Sequence, residues 1–370
     1  MAVEIGTASD ARDLLSKLEK FLTTNPDLVR EKQAWTAIRD SDGGTNIATV
    51  DSIDGLNRNR NDGYAYRLRF IGHGLDGEDT VVVPMSLYIN TIYKVSSLCA
   101  WYASPKDSDK EVAKHFAKMR LALPFTAIPL RDEPMPYWFV ANGRRFILVV
   151  KVLENYLSMY CGFMLQFGTD LENPYPMYIG GGHNNNYARI IKNDERTSNR
   201  RDDDEENTDH DDVDNEELIN TVDYNYGGFH DPFSAMDSFG ALGGDTSSCF
   251  CNTPDNKLAM LSQGYGGSEV ITSFKKYANG FLLPYSYTFA DDVAYDRTLE
   301  GKYLLSPIEI FIVPKEDKDV GFPIGWLHGA YFVSGKENTP EKELRIGNKR
   351  YLCFPSMKNK LSGWFALLME

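Results

Sequence analysis

Met135-Pro136-Tyr137-Trp138-Phe139-Val140-Ala141-Asn142-Gly143-Arg144-Arg145-Phe146-Ile147-Leu148-Val149-Val150-Lys151-Val152 is the stretch on which the reading of this chain turns. Two apolar runs, rich in β-branched and aromatic residues, flank Asn142-Gly143. Asn-Gly between such runs is the strongest short signal for a tight hairpin, because the favoured two-residue turn holds both central residues at φ > 0. The returning run, Phe146 to Val150, is apolar at both parities, which predicts a strand buried on both faces. The hairpin therefore marks the core.

Other segments extend the same pattern. Leu344-Arg345-Ile346, Gly347-Asn348 and Tyr351 to Pro355 predict a second hairpin. Trp364 to Met369 reads as a buried strand. Strands are also expected over Tyr64 to Ile71, Thr80 to Val95, Glu269 to Phe274, Gly280 to Phe289 and Leu304 to Val313. Pro84 is expected to divide its strand or to put it at a sheet edge. Asp107 to Arg120 is spaced as a helix, with Val112, Phe116 and Met119 on one face.

The N-terminal segment predicts an amphipathic helix. Leu14, Leu15, Leu18, Phe21 and Leu22 form one stripe, Thr7 or Ser9 can cap its start, and Pro26 follows its end. That stripe must pack on its own domain or on a partner. Leu14, Leu18, Phe21 and Leu22, with Trp364 and Phe365 near the C-terminus, are the candidate partner-binding residues. The expected fold class is mainly β (α+β), with β-sandwich or barrel-like domains and this N-terminal helix. Three segments are expected: a helical docking segment over 1–38, a mixed β-rich domain over 39–133, and a β-rich domain over 134–370.

The 370-residue chain has a formal net charge of −14. Asp194 to Glu217 alone holds 13 acids and 3 arginines, so the rest is nearly balanced. This run lies in an acidic insert, expected to be disordered over about 193–220. No basic patch of useful size is visible, which argues against a nucleic-acid partner. No stretch of roughly 18 apolar residues is present, and no secretory leader pattern, so neither a membrane span nor secretion is expected. Five scattered cysteines do not make a disulfide framework. Cys99, Cys161 and Cys353 read as small core residues.

Tests for chemistry fail one by one. Cys249-x-Cys251 has no second pair to complete a zinc site. Asp209, Asp211 and Asp214 offer oxygens, but Asp214 stands where a calcium loop needs glycine. Gly180-Gly181-Gly182 lacks the Lys-Ser/Thr pair of a phosphate loop. The six histidines have no metal spacing, and Gly266-Gly267-Ser268-Glu269 is not a nucleophile elbow. Asp231 beside His230, and Asp291-Asp292, read as solvated loop acids. No catalytic residue, metal ligand or cofactor is assigned, and the chain is not expected to be an enzyme.

Met135 to Ile147 resembles a signature of a family of structural proteins from tailed bacteriophage particles. The likeness runs on through Val149 to Tyr160, Pro174-Tyr175-Pro176 and Gly180. It also takes in Glu4 to Ala8, Asp13-Leu14-Leu15, Leu22-Thr23-Thr24, Gly329 to Gly335 and Ile346-Gly347. The insert after Ile191 and the region Thr45 to Val95 depart from the pattern. The resemblance implies a virion component of the tail or baseplate, made in the host cytoplasm, with other virion proteins and further copies of itself as partners. Two alternatives stand beside it. One is a tail-fibre or adhesin component binding host-surface glycan, with Trp101, Tyr102, Tyr224 and Tyr226 as stacking candidates. The other is a head or collar decoration protein.

Overall fold

The computed structural model describes residues 1–38, 48–50, 65–75, 83–92, 95–102, 125–169, 171–173, 176–181, 249–252, 258–261, 278–283, 298, 300–313, 322–355 and 364–370. In chain order the elements begin with β1 (Ala2–Ala8), α1 (Ala11–Thr24), α2 (Pro26–Arg30), β2 (Thr36–Ile38) and β3 (Ala48–Val50). Next come β4 (Ala65–Gly72), β5 (Val83–Ile92), β6 (Val95–Tyr102), β7 (Phe125–Leu130), β8 (Met135–Ala141), β9 (Arg145–Val152) and β10 (Asn155–Phe163). Then follow β11 (Leu165–Gln166), β12 (Met177–Gly181), β13 (Cys249–Asn252), β14 (Leu258–Leu261) and β15 (Ala278–Leu283). The last are β16 (Ser306–Val313), β17 (Phe322–Val333), β18 (Glu343–Ile346), β19 (Lys349–Phe354) and β20 (Trp364–Leu368).

The protein is mainly β, with a short helical N-terminal region. One fourteen-stranded sheet runs β1-β8-β9-β10-β12-β13-β14-β15-β16-β17-β20-β19-β18, with β11 paired to β17 off this path. A six-stranded sheet runs β2-β4-β5-β6-β7, with β3 beside β4. Among the described strands the path of the large sheet is open, ending on β1 and on β18.

Period-two alternation sorts the side chains into layers. On β9, Phe146, Leu148 and Val150 enter one apolar cluster with α1, Trp35, Phe70, Ile128 and Leu130. Ile147 and Val149 enter a second cluster, with Trp138 and Val140 of β8 and Ile308, Ile310, Phe332, Phe354, Phe365 and Leu367 from the C-terminal strands. The strand is thus buried on both faces, as its sequence predicts. β20 repeats the arrangement: Phe365 and Leu367 face the second cluster, and Trp364, Ala366 and Leu368 a third. Each such fully buried Leu, Phe or Val contributes about 1.5–3 kcal/mol.

The N-terminal expectations need correction. Residues 2–8 form a strand, not the approach to a helix, and β1 pairs with β8 from Ala2↔Ala141 to Ala8↔Met135. Thr7 lies in that strand, and the helix cap is Asp10, whose Oδ1 accepts from Asp13 N–H at 2.8 Å. Asn25 then caps α2, accepting from Asp27 N–H at 2.9 Å, with Pro26 at the first helical position. Pro84 neither divides its strand nor makes β5 an edge strand. It pairs with Ile71 of β4 but precedes Met85, the first residue paired with β6, so its missing N–H falls where only one neighbour is present. The predicted helix over Asp107 to Arg120, the strand over Glu269 to Phe274 and the acidic insert lie outside the described residues.

Candidate functional site

Two of the five buried polar or charged residues among those described, Asn142 and Arg145, lie at the hairpin between β8 and β9. Ala141 pairs with Phe146, and Asn142 N–H donates to Arg145 O at 3.0 Å. Asn142 therefore opens the turn rather than occupying its centre. Its Oδ1 accepts from the N–H groups of Arg144 (2.9 Å) and Arg145 (3.0 Å), an Asx turn. Neither Asn142 nor Gly143 has positive φ, contrary to the expected turn type. Gly143 is required for a different reason. A Cβ there would overlap the carbonyl oxygen of Gly74, and Gly74 N–H donates to Gly143 O at 3.0 Å. Trp35 Nε1–H donates to Asn142 O at 2.7 Å, and its ring meets Phe146 edge-on at 5.7 Å. The hairpin tip is thus pinned to the loop that leaves β4.

Arg145 opens β9 and is fully buried. Among the described residues no carboxylate lies within ion-pair distance of it. Its Nη1 donates to Val140 O at 3.4 Å, its Nη2 to Met1 Sδ at 3.2 Å, and its Nε has no partner. Gly329, at φ 83, passes so close that a Cβ would overlap Arg145 Nη2. His328 sits beside this glycine on β17. Its Nδ1 lies 3.3 Å from Asn142 Nδ2, and its backbone N–H donates to Tyr160 Oη at 3.4 Å. Tyr160 O–H in turn donates to Phe163 O at 2.9 Å. Burial first, then the charge of Arg145 and other nearby cations, pushes His328 down to about 3. The imidazole is neutral near pH 7, so Nδ1 accepts from the Asn142 amide. Burial raises Tyr160 to about 12, so its phenol is also neutral.

Chemically this arrangement is a clamp. It joins β8 and β9 to β17 through His328, and to the second sheet through Trp35 and Gly74. A histidine held this far below its usual range is a poor general base near neutrality. No group of three or more metal-ligating side chains occurs among the described residues.

The candidate partner-binding residues lie elsewhere. Leu14, Leu18, Phe21 and Leu22 are buried within the chain, packed against the large sheet, with Phe21 and Phe139 at 5.5 Å. Trp364 and Phe365 are buried on opposite faces of β20, and Phe365 stacks on Phe354 at 5.5 Å. Periodicity identified apolar stripes correctly; the chain itself supplies the surfaces that cover them. On β1, Ile5 is 53% exposed, within the β-branched series Val3, Ile5, Thr7 at alternate positions.

Gly180 and Gly181 are strand residues, paired with Tyr160 and Met159, not a phosphate-binding loop. Cys161, Cys251 and Cys353 are buried. Trp101 and Tyr102 lie on β6, whereas Tyr224, Tyr226, His230, Asp231, Asp291 and Asp292 are outside the described residues. No protein-family model matches the chain, and no curated protein matches it.

Proposed function

We propose that this protein is a non-enzymatic structural subunit of a tailed phage particle, placed in the tail or baseplate and assembled with other virion proteins. The observation that carries the reading is the resemblance of Met135 to Ile147, extended by Glu4 to Ala8 and Gly329 to Gly335. These segments are distant in sequence but adjacent in the fold. Glu4 to Ala8 lies in β1, paired with β8, and Gly329 touches Arg145. Continuous burial through three apolar layers, with polar groups used to clamp strands together, suits a rigid building block. The buried thiols of Cys161 and Cys353, which form no disulfide, suit assembly in a reducing cytoplasm.

Peptide mass spectrometry on purified particles, separated into head and tail fractions, tests this. The expected result is the chain in the tail fraction at several copies per particle. Its presence only in heads would overturn the tail assignment, and its absence from particles would overturn the virion reading.

A further inference from the structure

The two ends of the large sheet are built differently. β18 has four residues, includes Glu343 and Arg345, and lies beside the charged Lys349 and Arg350 of β19. Short length and charge are how natural sheets protect an edge. β1 has seven residues and one charged side chain, Glu4, whose Oε1 is held by Tyr137 O–H at 2.7 Å. Its register with β8 is unbroken, and no other described strand pairs with it.

Ladder parity shows which of its backbone groups face away from β8. Asn142 N–H bonds to Arg145 O, so alternate β8 residues Val140 and Trp138 direct their backbone groups toward β9. Ala141, Phe139, Tyr137 and Met135 then direct theirs toward β1, where Ala2, Glu4, Gly6 and Ala8 answer them. Val3, Ile5 and Thr7 consequently direct their N–H and C=O groups outward. Thr7 agrees: its carbonyl oxygen accepts from Lys17 Nζ at 2.7 Å, away from β8.

We propose that β1 pairs antiparallel with β1 of a second copy, about a twofold axis through Ile5. The sequence Ala2-Val3-Glu4-Ile5-Gly6-Thr7-Ala8 fits itself in this register. Ala2 falls opposite Ala8, Val3 opposite Thr7, and Ile5 opposite Ile5. Glu4 falls opposite Gly6, so the acids do not meet; the space over Gly6 is filled by Tyr137, whose hydroxyl holds Glu4. The outward groups of Val3, Ile5 and Thr7 then bond to those of Thr7, Ile5 and Val3 across the axis. Lys17 gives up the Thr7 carbonyl and keeps Asp13, 2.7 Å away. Such an interface is isologous and closed, giving a dimer rather than a filament. It uses main-chain bonds for affinity, as in strand addition generally. The inference goes beyond the virion reading and does not depend on it.

The test is sedimentation of the full chain with three variants at the axis. Wild type is expected as a dimer. Ile5→Lys and Ile5→Glu place like charges opposite each other and are each expected as monomers, while an equimolar mixture restores the dimer. Unchanged circular dichroism and melting would show that both variants fold. Ile5→Cys is expected to give a disulfide-linked dimer on oxidation, because bonded antiparallel partners sit about 5.5 Å apart at Cα. Thr7→Cys does not, because its counterpart lies about 15 Å away along the partner strand. A monomeric wild type, dimers of Ile5→Lys alone, or equal cross-linking at both positions would overturn the proposal. An assembly larger than a dimer, pointing to a head-to-tail contact such as β1 on β18, would overturn it as well.

Discussion

Replacing Arg145 with methionine is expected to stabilise the fold. The guanidinium is fully buried, with no carboxylate in ion-pair distance among the described residues. Its Nε is unpaired, and its two contacts, 3.4 Å to Val140 O and 3.2 Å to Met1 Sδ, are long or weak. Burying an ion costs several kcal/mol even after relaxation, whereas a well-formed hydrogen bond from a charged donor returns about 1.5–3 kcal/mol. Here neither bond is well formed, so desolvation wins. Methionine keeps the length of the stem and loses the charge, and the smaller volume offsets part of the gain. The net expectation is about 2 kcal/mol in favour of Arg145→Met, read as a higher urea midpoint at unchanged slope. A second readout follows from His328. Its folded pKa, about 3, is below its unfolded value, so its contribution is complete above about pH 6.5. Below that it is lost at about 1.4 kcal/mol per pH unit as pH falls toward the folded pKa. Removing the Arg145 charge raises the folded pKa part of the way back, since burial is the larger cause, and the acid-side loss ends at higher pH. A destabilisation above about 1 kcal/mol in a folded variant would refute the desolvation argument. An unchanged His328 titration by NMR would refute the coupling.

Gly143→Ala is expected to cost about 3 kcal/mol, because its Cβ meets backbone at Gly74 and the Gly74 N–H bond is lost when the loop retreats. Gly347→Ala is the comparison: nothing lies within 4 Å of its Cβ, so only the positive φ of 62 opposes it, at about 1 kcal/mol. Denaturant unfolding of the two variants separates close approach from backbone strain. Leu18→Ala, which empties a fully buried site under α1, is expected to lower stability by about 3 kcal/mol without changing the oligomeric state. Loss of assembly with unchanged unfolding would instead mean that the stripe does meet a partner. Burial holds the thiol of Cys161 well above its ordinary range and that of Cys353 at about 11. Both should resist alkylation in native buffer and react on unfolding, as followed by mass spectrometry.

Local signals carried much of this fold. The two-sided strand at Phe146 to Val150, the stripe of α1 and the turn at Gly347-Asn348 follow from spacing and turn chemistry within a few residues. Gly347, for instance, takes φ 62 in a two-residue turn closed by Ile346↔Lys349. What spacing does not encode is which surface meets which. The stripe at Leu14, Leu18, Phe21 and Leu22 reads alike whether its cover is another chain or the sheet behind β8 and β9. The turn predicted with Asn142-Gly143 at its centre falls one residue later, on Gly143-Arg144, and its glycine answers to Gly74, a contact formed only when the two sheets come together. Arg145 and His328 give no local sign at all, because the clamp exists only once β9 and β17 share a core.

The same distinction bears on how a resemblance can be used. The residues that carry the likeness, from Met135 to Ile147, are nearly all buried: Trp138 and Val140 face one cluster, and Tyr137, Phe139 and Phe146 face another. A likeness made of core residues argues for a common way of packing strands. It does not specify a partner-facing surface, because of these residues only Pro136 and Arg144 are even partly exposed. Among the described strands an open sheet edge lies at β1, a strand of small and β-branched residues with no motif to announce it. The oligomeric state of the Ile5 variants therefore bears on partner choice more directly than any substitution within the hairpin. Hairpin variants would act through stability, and a loss of assembly in them would follow from unfolding rather than from a changed interface.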